Sequence, residues 1–333
     1  MMPEPAWATR AALPHPSDPP TIASMLQLEV HSVSLLSVFA ICLAALYVLA
    51  VIRVRRRGVR WSMTRTLLFV AGCTLIVLVT GTELDAYGEQ LFSVFMFQQL
   101  TLMIAVPPLL VWGSPGRLLL RAVPHRGLGG LVQRAALGGL RSRWARVLLH
   151  PAVTVTTFLM SYYGLYFAGI ADNALRWEGG HVALETAFLA AGVLFHLPVL
   201  SDDPLPVRHG HVAGILDVFI EIALHAFFGV IIMMSTRLLL DTFANPPSAW
   251  GIDPLADQGV AGGLAWGYGE GPTVLILIYL LHRWFRDDTR RDAARDQRVD
   301  RDGDPELDAY NTYLARLNAA DTPPTERADE HPS

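Results

Sequence analysis

The sequence predicts an all-α membrane protein with seven transmembrane helices, and three observations carry that reading. Apolar residues make up 52% of the 333-residue chain and charged residues only 17%, with a mean hydropathy of +0.35. Such a profile belongs to a polytopic membrane protein and not to a soluble two-domain one. Seven stretches approach or exceed the roughly 20 apolar residues that cross a bilayer: His31–Val54, Thr64–Leu84, Leu91–Trp112, Leu148–Ala171, His181–Leu200, Val212–Thr236 and Val260–His282. The arginines gather between alternate spans.

That distribution sets the orientation. All 26 cationic side chains are arginines. Arg53, Arg55, Arg56, Arg57, Arg60 and Arg65 lie between spans one and two, and Arg117 to Arg146 fill the loop after span three. Arg208 follows span five, and nine more arginines begin at Arg283. Only Arg10, Arg176 and Arg237 lie on the other side. The positive-inside rule therefore predicts an outside N-terminus and a cytoplasmic C-terminus, in the plasma membrane. Residues 1–30 read as a flexible Pro-rich tail and not as a cleaved signal peptide. Residues 31–284 read as the seven-helix domain, with an Arg-rich amphipathic loop at 114–147 on the cytoplasmic face. Residues 285–333 read as a charged cytoplasmic tail, with a short helix near Leu307–Leu317 and a disordered end.

Composition also excludes functions. With no lysine the chain cannot form a retinal Schiff base. Cys42 and Cys73, both inside spans and without CxxC spacing, offer no thiolate site or disulfide framework. The juxtamembrane arginines suit anionic lipid headgroups and not nucleic acid. No phosphate-cradling loop, GxSxG elbow or HExxH motif is present, and no nucleophile is paired with a base, so the chain reads as non-enzymatic.

Taken in order, the spans carry distinctive polar groups. Span three holds Met96, Gln98, Gln99 and Met103 in its outer half. Thioethers suit Cu(I), yet methionine is also an ordinary gap-filler of apolar interiors. Pro107-Pro108 removes two backbone donors, which predicts a helix break near Ala105. Span five opens with His181 and Glu185 four residues apart, so both point one way from its outer end. His196 stands alone nearer the inner end and reads as packed.

Span six places Asp217, Glu221 and His225 at four-residue spacing. Four residues advance a helix by about 400° and about 6 Å, so the three form one polar stripe. An ionisable group at bilayer depth costs about 2.5–3.5 kcal/mol on insertion scales, so the stripe must face protein or water. It reads equally as a metal or proton-carrying element and as hydrogen-bonded glue between helices. In span seven, Trp266, Tyr268 and Glu270 precede a kink expected at Gly271-Pro272. Span counting puts Gln99, His181, Glu185, His225 and Glu270 in the outer half to the middle of their helices. One polar pocket opening outward is the simplest expectation.

Several stretches resemble the CtaG-like family of cytochrome c oxidase assembly factors. They are FSVFMFQQLTLMIAVPPLLVWGSPG, LLHPAVTV…SYYGLYF, GHVALETAFLAAGVLFHLPVLSDDPLP, HAFFGVIIM, DQGVAGGLAWGYGEGPTVLILIYLLHRWFRDD and ELDAYNTYLARL. The resemblance implies a seven-span protein that helps mature a haem–copper terminal oxidase, with oxidase subunits as partners. It implies transient Cu(I) held by histidines and methionines in the outer halves of the spans. His225, His181 and His150 carry over. Phe95 and Gln99 stand where relatives show span-three histidines, and Glu185 where they often carry another. The expected ligand set is therefore His225, His181 and Met96, with Glu185, Glu221 and Gln99 around the ion. A metal-free scaffold for oxidase subunits is the alternative, and a proton or ion pathway along Asp217, Glu221 and His225 a third.

Overall fold

The computed structural model describes residues 16, 18–27, 34–124, 126–207, 209–303 and 305–321, all in helices, turns and loops with no strand among them. His31 to Val33, the start expected for span one, lie outside the described residues, as do Arg10, Arg208, most of the N-terminal tail and residues 322–333. The chain divides into two compact units, one ending at Leu280 and the other beginning at Leu281.

In the first unit, a short α1 (Ile22–Met25) precedes α2 (Leu35–Arg56) and α3 (Met63–Thr80). Ser34 caps α2 by accepting from the Leu36 amide, and three arginines fill its last turn, as the helix dipole favours. A short α4 (Glu83–Gly88), capped by Thr82, turns the chain toward α5 (Phe92–Leu100). Next come α6 (Val106–Trp112), α7 (Pro115–Ala122), α8 (Gly127–Arg141) and α9 (Arg143–Leu148). They are followed by α10 (Pro151–Leu159), α11 (Leu165–Phe167), α12 (Ile170–Leu175), α13 (Gly180–Leu200), α14 (His211–Met234) and α15 (Pro254–Gly267). Then α16 runs from Glu270 to Asp302. In the second unit, α17 (Pro305–Asp321) covers the stretch expected to be a short helix.

Among the described residues, six helical runs are long and apolar enough to cross a membrane: Leu35–Arg56, Met63–Thr80, Phe92–Ala122, Gly180–Leu200, His211–Met234 and Pro254–Gln297. The stretch expected to be span four is helical but in pieces. It passes from α10 through a π turn (Met160–Gly164) into α11, 17 residues in all. At 1.5 Å per residue that is about 25 Å. Gly169, in the left-handed region, then turns the chain into α12.

The third run is the central one: 83% of its apolar window is buried, against 28–56% for the others. The expected break at Pro107-Pro108 does not occur. A π turn (Thr101–Ala105) joins α5 to α6 instead, with the Val106 amide donating to the Thr101 carbonyl five residues back. Widening the turn just before two residues without amide donors keeps the rod continuous. By contrast, span seven does interrupt, between α15 and α16 at Tyr268-Gly269.

On the Arg-rich side, Arg65 pairs with Asp202 at 2.8 Å, and Asp203 accepts from the Gly116 and Arg117 amides at the start of α7. Asp217, the stripe member nearest the start of α14, pairs with His209, Nδ1 to Oδ2 2.5 Å. His209→Leu strands that carboxylate and is expected to cost on the order of 3 kcal/mol, whereas His209→Leu with Asp217→Leu recovers most of it. Thermal unfolding in detergent measures both. Equal losses from the single and double variants would rule out the pair as the source.

Candidate metal centre

The first turns of α13 present His181 and, one turn on, Glu185; the first turn of α4 presents Asp85 across from them. The His181 Nε2 lies 3.2 Å from Asp85 Oδ1 and 3.7 Å from Glu185 Oε1. Donor atoms of all three fall within 4.8 Å of one another, and among the described residues this is the one such group of His, Cys, Asp or Glu. Two ligands about 2.1 Å from a tetrahedral metal sit about 3.4 Å apart, so the side chains already stand at ligand spacing.

Gln98 of α5 floors the group. Its amide nitrogen reaches the Val79 carbonyl at 2.8 Å, Asp85 Oδ1 at 3.0 Å and Glu185 Oε1 at 3.5 Å. Gly88 makes room for this placement of the Gln98 amide, since a Cβ there would stand 1.9 Å from its Oε1. The Phe95 ring packs 5.4 Å from that of His181 and walls one side. Exposure grades inward, with side-chain values of 17% for Asp85, 8% for His181 and 1% for Glu185. Both His181 nitrogens, Glu185 Oε2 and Gln98 Oε1 are buried without a hydrogen-bond partner. Buried polar atoms normally find partners, and an ion held by one His181 nitrogen and Glu185 would satisfy two of these four.

The remaining expected ligands lie elsewhere. His225 and Glu221 meet each other on α14, Nδ1 to Oε1 3.4 Å, and neither belongs to the converging group. The Tyr162 ring lies 6.4 Å from that of His225. Gln99 accepts from the Tyr166 hydroxyl and donates to the Ser161 carbonyl at 3.4 Å. Met96 is fully buried and shares the α5 face of Phe92 and Gln99, both of which contact Tyr166. Thus the single pocket expected from span depth divides into two polar centres: residues at one depth need not share one azimuth. His150, expected as a ligand by resemblance, caps α10, its Nδ1 accepting from the Ala152 amide at 3.2 Å. His196 packs as expected, its Nδ1 2.7 Å from the Gly192 carbonyl. Tyr268 meets the Thr101 hydroxyl at 3.1 Å, while Trp266 is half exposed and Glu270 opens α16.

Sequence reasoning missed Asp85. The available signal was an acidic cluster, TELD, at the end of span two, on the same predicted side as the start of span five.

Apolar helices of crossing length around a buried histidine–carboxylate cluster define a membrane protein with a candidate metal centre. The chain belongs to the cytochrome c oxidase caa3 assembly factor family (Caa3_CtaG), which matches residues 45–287 and bears out the resemblance seen in the sequence. It is 34% identical over 306 residues to the uncharacterized proteins Mb0105 of Mycobacterium bovis and MT0111 of Mycobacterium tuberculosis. Each alignment covers 90% of this chain and 46% of the relative. With the uncharacterized protein ML1998 of Mycobacterium leprae the identity is 34% over 298 residues, 86% of this chain and 44% of the relative. The chain therefore spans a little under half the length of these relatives. No solved structure matches.

Proposed function

We propose that the chain is a non-enzymatic assembly factor for a haem–copper terminal oxidase. It takes up copper transiently at Asp85, His181 and Glu185 and passes it by ligand exchange to an oxidase subunit. The observation that carries the reading is the convergence of these three side chains in a member of an oxidase assembly family. Three protein ligands leave an open coordination position through which a recipient can draw the metal. In this reading the chain crosses the plasma membrane seven times, with Pro151–Phe167 as the fourth crossing. The N-terminus is outside, and the centre opens outward through Asp85. Arginines on the cytoplasmic side meet anionic lipid headgroups.

The test is the copper content of the oxidase. In cells lacking the chain, the purified oxidase is expected to carry less than half its copper per haem. The parent chain restores it, His181→Ala does not, and His225→Ala does. An oxidase present in normal amount and fully loaded with copper in the deletion strain would sink the reading. A second reading, a metal-free scaffold, draws on Gln99 and Phe95, which stand at ligand positions of the family yet are held in packing contacts. It predicts loss of the whole oxidase, with normal copper in whatever remains.

A further inference from the structure

We infer that the Asp85–His181–Glu185 centre takes copper as the divalent ion, Cu(II), and discriminates against Cu(I); this rests on the assembly reading above and names the form of its cargo. Charge is the first argument. Asp85 and Glu185 face one imidazole, and among the described residues no arginine pairs with either carboxylate. As metal ligands both carboxylates bind in their deprotonated form and together bring a charge of about −2, which a divalent ion cancels and a monovalent ion only halves. Net charge left in a largely buried site at the edge of a bilayer is strongly penalised, so charge balance decides here more than any single contact.

Donor chemistry gives the same answer independently. Cu(I) prefers thiolate, thioether and imidazole, whereas carboxylate oxygens suit harder divalent ions. Neither Cys42 nor Cys73 belongs to the converging group, and helical spacing puts Met96 on the α5 face of Phe92 and Gln99, both of which contact Tyr166. Imidazole with two carboxylates is a borderline-to-hard set. Among first-row divalent ions at such a set, copper binds most tightly and zinc less so.

The gradient of exposure supplies a route. Asp85, the most exposed of the three, meets an incoming cation first, and Glu185, at 1%, receives it last. His181 Nε2 already stands 3.2 Å from Asp85 Oδ1 and 3.7 Å from Glu185 Oε1, so the imidazole faces the entering ion as it lies.

The experiment uses the full chain purified in detergent. One sample is titrated with Cu(II) sulfate against a divalent chelator. Another is titrated anaerobically with Cu(I), kept reduced by ascorbate, against bicinchoninate. The expected result is one Cu(II) per chain, held at least tenfold more tightly than Cu(I). Its electron paramagnetic resonance spectrum should show superhyperfine splitting from a single nitrogen. Asp85→Asn and Glu185→Gln should each weaken Cu(II) binding tenfold or more with circular dichroism unchanged. Tighter binding of Cu(I), no Cu(II) binding, indifference to both carboxylate substitutions, or coupling to two or more nitrogens would each overturn the inference. Those outcomes leave the assembly reading standing, because that reading fails only on the copper content of the oxidase in the deletion strain.

Discussion

Stripped of metal by EDTA, a chain carrying Asp85→Asn and Glu185→Gln together is expected to melt several degrees above the parent. The order should reverse when Cu(II) is added. Asp85 Oδ1 and Glu185 Oε1 both approach the Gln98 amide nitrogen, whose two N–H donors are also claimed by the Val79 carbonyl and which carries no charge to offset theirs. Two carboxylates without a cationic partner are costly in a buried site, and amides of the same shape remove that cost while preserving the packing. Metal acts in the opposite direction. An ion that binds only the folded parent at 100 times its dissociation constant adds about 2.7 kcal/mol, and the variant with a ruined site gains almost none. Thermal unfolding followed by tryptophan fluorescence, with EDTA and then with Cu(II), reads both effects. A parent that outlasts the variant in EDTA would mean that something other than a metal, such as a proton shared between the carboxylates, satisfies the centre.

How much of this was legible in the sequence depends on the distance over which each feature is determined. The apolar runs are local, and six of them stand as crossing-length helices where hydropathy put them. The fourth was legible as a helix but not as one bearing a π turn at Met160–Gly164, because the turn answers to neighbours and not to local propensity. Pro107 and Pro108 were legible as a problem for the backbone; that the chain solves it by widening one turn and not by breaking was not. Within one helix, the pairing of His181 with Glu185 follows from four-residue spacing, and so does that of Glu221 with His225. Between helices, spacing says nothing of azimuth. Depth put His181 and His225 in one layer, but which neighbour each meets depends on packing: His181 faces Phe95 of the central run, whereas His225 faces Tyr162 of the fourth stretch. Asp85 was invisible for the same reason, since it joins the centre from a short connecting helix about 100 residues away in sequence from its partners.

A single side chain added at the crossing of α14 and α15 is expected to be severely damaging. Gly229 and Gly262 meet back to back. A Cβ on Gly262 would stand 2.4 Å from the Met233 amide nitrogen, and one on Gly229 would stand 2.5 Å from that of Trp266. Both obstacles are backbone atoms, which cannot swing aside as a side-chain tip can. Lipid tails are as apolar as any leucine, so helices in a bilayer are held by close packing, and a spacer at the crossing removes the contact outright. Gly262→Leu is therefore expected to abolish the monodisperse peak in size-exclusion chromatography after detergent extraction. Gly263, the next residue on the same helix, supplies the control, because a Cβ there would meet nothing within 4 Å. Gly263→Leu adds the same atoms and should behave as the parent does. Equal behaviour of the two variants would mean that the helices do not cross closely. The effect should also reach the metal centre, because α15 holds α5 through Asp257, whose carboxylate accepts from the Ser93 amide at 3.2 Å and from the Ser93 hydroxyl. The same α5 carries Gln98 and Phe95 to His181. Gly262→Ala, a milder insertion, should then weaken metal binding before it unfolds the chain, which ties the packing of two distant glycines to the geometry of the site.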